Sequence, residues 1–178
     1  MQILKIIGIG IIILIVVLLI LAIFIPKEFT ISVSETINKP QQEVFDYIRI
    51  LKNQEKYSVW IMEDPNLVPE IIGTDGTVGA IQKWNSEMDG VGEGEQEITA
   101  ISIDRIDLDL RFKRPMKGES KAANILSKVS ENQTTLTSEF YSKSTYPMNL
   151  MSYFMGGYII KKAQTQNLKN IKNILESK

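Results

Sequence analysis

Glu87, Glu95 and Glu97 are the side chains best suited to proton transfer in this chain, which contains no histidine and no cysteine. A carboxylate aimed into an apolar space has a raised pKa and can exchange a proton near neutrality. All three occupy odd positions of strand-like stretches, beside Thr99 as well as Ile101. Parity thus gives them polar and apolar neighbours alike, and a solvated face is the simpler reading. No Ser, Thr or Lys stands in a recognisable nucleophile motif, so no catalytic residue is assigned. The two zeros exclude disulfides, thiolate nucleophiles, Cys/His zinc sites, His-ligated haem and Ser-His-Asp triads.

Other patterns have simple explanations. Asn85-x-Glu87-x-Asp89-Gly90 resembles the start of a calcium loop, but its twelfth position is Gln96 and its flanks are strand-like. Asp89-Gly90 reads as a hairpin turn. Gly73 to Gly79 and Gly90 to Gly94 are glycine-rich, yet neither leads from a strand into a helix or carries Gly-Lys-Ser/Thr. No metal site and no cofactor is therefore expected. Arg111, Lys113, Arg114, Lys117 and Lys121 gather around one strand end and its turn. They form a solvated edge, or a contact with anionic headgroups at about 1 kcal/mol per residue. With 20 basic residues against 21 acidic ones, no one-signed field is available to hold nucleic acid.

These residues must be positioned by two unlike parts. Ile6 to Ile25 is a run of 20 residues without a charge or a strongly polar side chain, flanked by Lys5 and Lys27. As a helix it is roughly 30 Å long, the thickness of a hydrocarbon core. A cleaved signal would have a shorter apolar region and a small-x-small exit, whereas this run leaves through Ile23-Phe24-Ile25-Pro26. The expectation is a single-pass anchor over 1–27 with the bilayer as partner along 6–25. Lys5 on one side balances Lys27 and Lys39 on the other, so the charges favour neither orientation.

Residues 28–178 form the expected folded domain. Phe29 to Ile37 alternates apolar and polar, a strand with one buried face. Asn38-Lys39-Pro40 opens a helix carrying Val44, Phe45, Ile48 and Leu51 at helical spacing. Strand-like pieces follow over 67–72, 78–88, 92–103, 106–113, 120–130 and 134–142, most of them separated by turn signals. Short connections imply antiparallel pairing. A helical pattern follows Tyr146-Pro147, with Met151, Phe154, Tyr158, Leu168, Ile171 and Leu175 on one stripe and Gly156-Gly157 marking a kink or close approach. The class is α+β: about seven antiparallel strands in a curved sheet, closed by the long C-terminal helix.

The order of several short pieces resembles the START-like, Bet v 1-like superfamily (SRPBCC), within it the polyketide cyclase/dehydrase and lipid-transport group. The pieces are Ile37-Asn38-Lys39-Pro40 with Val44-Phe45, Trp60, Gly79 to Trp84, Gly92 to Ile98, Arg105 through Phe112 to Pro115, Tyr146 to Leu150, and Leu168 to Lys172. The resemblance covers roughly residues 29–176. It implies the helix-grip fold, with a hydrophobic cavity between sheet and C-terminal helix. In such a cavity Trp60, Trp84, Phe112, Phe140, Met151, Phe154 and Tyr158 would line a ligand site, or simply fill the core. The implied partner is a hydrophobic or lipid-like small molecule. A cyclase or dehydratase-like enzyme and a ligand-free envelope module are the alternatives.

Overall fold

The computed structural model describes residues 2–177. Seven strands form one antiparallel sheet: β1 (Glu28–Ile37), β2 (Glu70–Ile72), β3 (Ile81–Asn85), β4 (Glu93–Ser102), β5 (Arg105–Arg114), β6 (Gly118–Ser130) and β7 (Gln133–Lys143). Their order is β1-β7-β6-β5-β4-β3-β2, so β2 to β7 meander and the last strand returns beside the first. Before β1 stands α1 (Gln2–Phe24). Between β1 and β2 lie α2 (Gln41–Ile48), a tight 3-10 turn at Leu51–Asn53, α3 (Gln54–Tyr57) and α4 (Val59–Glu63). After β7 come α5 (Asn149–Met151), a π-helical turn (Ser152–Gly156) and α6 (Gly157–Glu176).

The expected α+β sheet and closing helix are present, with local differences. The strand expected over 78–88 begins only at Ile81, because Gly73, Gly76 and Gly79 all hold positive φ in the loop before it. Asp75 in that loop accepts hydrogen bonds from the backbone N–H groups of Leu51 (2.7 Å) and Lys52 (3.1 Å), capping the 3-10 turn.

Alternation decides which face is dry. Ile98, Leu108, Ala122, Phe140 and Ile31 pair in turn across β4, β5, β6, β7 and β1, giving one continuous apolar row. The next residues along β5, Asp107, Asp109, Arg111 and Lys113, face the other way. α6 lies chiefly against β1 and, less, β7. It buries Leu168, Ile171 and Leu175. Lys172 Nζ fixes it lengthwise, donating to Glu35 Oε1 (2.9 Å) and to the Thr36 carbonyl (2.6 Å). Asn167 and Asn170 of α6 also bond the backbones of Val59 and Tyr57, holding the α3–α4 corner.

The apolar stripe expected along the whole C-terminal segment breaks in two. The π turn inserts an extra residue per turn and shifts the phase of everything before it. Even beyond that turn, ten residues at about 100° each leave Tyr158 roughly 80° from Leu168. Leu168, Ile171 and Leu175 are buried, whereas Met151, Phe154 and Tyr158 are exposed.

Leu136 is fully buried in the centre of the core, while Val129 on β6 is exposed. Leu136→Ala should cost about 2–5 kcal/mol in denaturant unfolding, from lost transfer energy plus a residual cavity. Val129→Ala should stay within about 0.5 kcal/mol.

Candidate functional site

A cleft of about 710 Å³ opens where the 64–68 loop meets β3, β4 and β5. Its apolar lining includes Pro65, Leu67, Val68, Trp84 and Met88, and its charged lining includes Glu70, Lys83, Glu93 and Lys113. The volume falls within the range of small-molecule sites. Trp84 is the cleft's aromatic wall, and Phe112 supports that ring edge to face at 6.1 Å between centroids. Both stand opposite Gly94 in the strand register. A Cβ at Gly94 would lie 2.6 Å from Trp84 Cζ2 and 2.8 Å from the Arg111 carbonyl oxygen. Glycine is therefore what lets the indole lie down across β4.

The charged rim is tied to the same strands. Glu93 accepts from Lys113 Nζ (3.0 Å) and Arg114 Nε (3.3 Å). The Lys113 and Arg114 hydrogen bonds hold its carboxyl below the usual value. Asp64, at the start of the loop, accepts from Ser86 Oγ (2.5 Å) and from the Asn66 backbone (3.0 Å). The Ser86 hydrogen bond, ahead of the Asn66 one, lowers its pKa too. Glu93 and Asp64 are thus anions at neutral pH, suited to binding rather than to donating a proton. Burial raises the pKa of Tyr57, which remains a neutral core phenol.

Behind the aromatic wall lies a polar relay. Gln82 is 0% exposed. Its Nε2 donates to the Leu51 carbonyl (3.0 Å), and its Oε1 accepts from Gln96 Nε2 (2.5 Å). Gln96 Nε2 also donates to Gln54 Oε1 (2.7 Å), so the chain of amides links β3, β4 and α3. Its signal was present in the sequence. Gln82 shares parity with Ala80 and Trp84, and Gln96 with Ile98, so two amides interrupt a face that otherwise reads as core.

No protein-family model matches the chain, and no curated protein is similar to it in sequence. Solved structures are similar in shape. Ara h 8.0201 aligns with a TM-score of 0.59 at 12% identity, over 85% of this chain and 99% of that one. A protein from Arthrobacter aurescens gives 0.60 at 19% identity, over 84% and 87%. DynU16, a protein in the dynemicin biosynthetic locus, gives 0.57 at 17% identity, over 83% of this chain and 47% of its own, so the chain spans about half that protein. The fold is a Bet v 1-like helix grip. At these identities the likeness is one of fold alone.

Within the helix grip the seven aromatic and methionine positions separate. Trp84 lines the cleft and touches Phe112. Phe140 is half-buried on β7 opposite Ile31, and Trp60 is half-buried on α4. Met151, Phe154 and Tyr158 stand outside, on the π turn and its borders. Among the carboxylates, Glu95 and Glu97 lie on the charged face, where Arg111 donates to both, at 2.6 and 2.7 Å. Glu87 is exposed at the cleft rim.

Gly94→Ala should destabilise the chain by about 1–3 kcal/mol, because the methyl group must displace Trp84 or the backbone of β5. Equilibrium unfolding followed by tryptophan fluorescence measures both effects. Glu93 titrates lower when folded than unfolded. Its contribution to stability is therefore complete above the ordinary glutamate value of 4.5 and is lost as the pH falls through the lower folded value. The melting temperature should fall across that acid range, and Glu93→Gln should flatten the fall.

Proposed function

We propose that this chain is a membrane-anchored helix-grip domain that binds a hydrophobic or amphipathic, lipid-like small molecule. The cleft, lined by β3 to β5 and the 64–68 loop and not by the C-terminal helix expected to close the ligand site, carries the proposal: the Trp84 indole beside a rim of fixed charges suits a ligand with an apolar body and a polar head.

The anchor is supported by α1, long and apolar enough to cross a membrane with a mean hydropathy of 3.6 and only 6% of that window buried. It is no core helix of this domain. Apolar surface on all sides suits lipid rather than water. Retention rather than cleavage is favoured by Asn149. Its Nδ2 donates to the carbonyls of Ala22 (2.7 Å) and Ile25 (2.8 Å), capping the end of α1, and cleavage there would strip a buried amide of both partners.

Cleft and anchor share one end of the sheet. β1 starts directly beyond α1 and pairs with the end of β7. β6 starts beside that same end of β7, and Gly118 at its start pairs with Phe112. Gly94 and Trp84 continue the row. A ligand leaving the bilayer would meet the cleft at high effective concentration.

The full chain, extracted in mild detergent, should carry bound lipid in native mass spectrometry and should bind single-chain amphiphiles with a change in tryptophan emission. Trp84→Ala should weaken that binding about tenfold, or about 1.4 kcal/mol. Absence of bound lipid, with no response to fatty acids, lysolipids or polycyclic aromatic probes, would refute the reading.

A further inference from the structure

The segment after β7 leaves a coherent apolar surface uncovered. Met151, Phe154, Met155, Tyr158 and Ile159 are all exposed, Phe154 by 59% and Tyr158 by 69%. They run from the end of α5 through the π turn into the first turn of α6. The opposite side packs inward. A Cβ at Gly157 would touch the ring of Phe29 at 3.5 Å, and Ser152 Oγ bonds Ser142 Oγ (3.2 Å). Each outward residue leaves apolar surface in water that burial would remove.

What covers this face is indicated by its attachment to α1. Asn149, two residues before the stripe, caps α1 at Ala22 and Ile25. Tyr146 Oη donates to the Leu19 carbonyl (3.3 Å), further inside the apolar helix. Ala22 is buried by this contact region, at 1% exposure. Leu19 to Ile25 is about 9 Å of helix. The 146–149 turn is therefore level with the last turns of α1, the depth at which the headgroup and acyl regions meet. Lys161 and Lys162 follow the stripe and are exposed, and Lys117 is exposed at the β5–β6 turn on the same end of the sheet. An apolar stripe with tyrosine and flanking lysines matches an interfacial membrane contact better than a protein partner.

We propose that the face formed by Met151, Phe154, Met155, Tyr158 and Ile159 is a second membrane contact, embedded in the headgroup–acyl boundary of the bilayer that α1 crosses. The inference rests on the anchor reading above. It adds that the domain is not free to swing. The Asn149 and Tyr146 bonds fix its orientation, and the embedded face holds the cleft end of the sheet against the lipid.

The absence of native cysteine permits a direct test. Full chains bearing Phe154→Cys, Tyr158→Cys, Ile13→Cys or Val129→Cys are labelled with an environment-sensitive fluorophore. They are reconstituted into phosphatidylcholine–phosphatidylglycerol vesicles, with and without brominated acyl chains. The labels at 154 and 158 should shift to shorter wavelength, lose quenching by aqueous iodide and gain quenching by bromolipid. The label at 129, at the far end of the sheet, should stay accessible to iodide. If 13 is quenched by bromolipid while 154 and 158 stay open to iodide, the second contact is refuted and the anchor stands. If 154 and 158 are shielded from iodide yet untouched by bromolipid, the face belongs to a protein contact and the proposal fails. If 13 is itself untouched by bromolipid, anchor and second contact fall together.

Discussion

An antiparallel sheet with one apolar face must have that face covered, and most of this molecule follows from how the covering is shared. α6 takes the β1 and β7 side, where Leu168, Ile171 and Leu175 meet the core. The corner built by α2 to α4 adds Val44, Ile48, Leu51 and Tyr57. Neither cover reaches fully over the end of β3, β4 and β5. There the sheet presents Trp84 and Gly94 to a cleft instead of to a helix, with Phe112 packed against the indole. The glutamine relay lies at that boundary, where polar groups are still satisfied by protein rather than by water.

The wet face is organised differently. Arg111 holds Glu95 and Glu97 across β4 and β5, and Lys113 and Arg114 hold Glu93. Half-exposed pairs of this kind contribute about 0–1 kcal/mol each. Their effect is on chemistry as much as stability. They hold the Glu93 carboxyl below its usual pKa and engage Glu95 and Glu97 with the Arg111 guanidinium on the wet face. The same ladder explains why the basic cluster around 111–121 carries little net field: much of it is answered by acid on neighbouring strands.

The link between α1 and the domain is a joint rather than a leash. Only Ile25 to Lys27 separate the end of α1 from β1. Ser144 N–H bonds the Lys27 carbonyl (2.8 Å), so even this connector is paired to the end of β7. Asn149 then supplies donors to carbonyls that a helix end otherwise leaves without partners. A side chain more than a hundred residues away in sequence thus completes the first helix. The orientation of the domain relative to α1 becomes a property of packing.

The sequence by itself determined the elements. Period-two alternation marked β1 and β5, short turns forced antiparallel neighbours, and an uncharged run of 20 residues identified α1. These are local patterns, and backbone geometry reads them without distant contacts. Tertiary structure decided which face of the final helix is covered. One extra residue per turn at Ser152–Gly156 rotates Met151 and Phe154 away from the stripe that spacing alone assigns them. It also decided that Trp84 and Phe112 meet over Gly94, since only register brings those strands together. Aromatic residues look the same in sequence whether they fill a core, wall a cleft or face outward. The difference lies in which other segments arrive to cover them, and that is set by long-range packing.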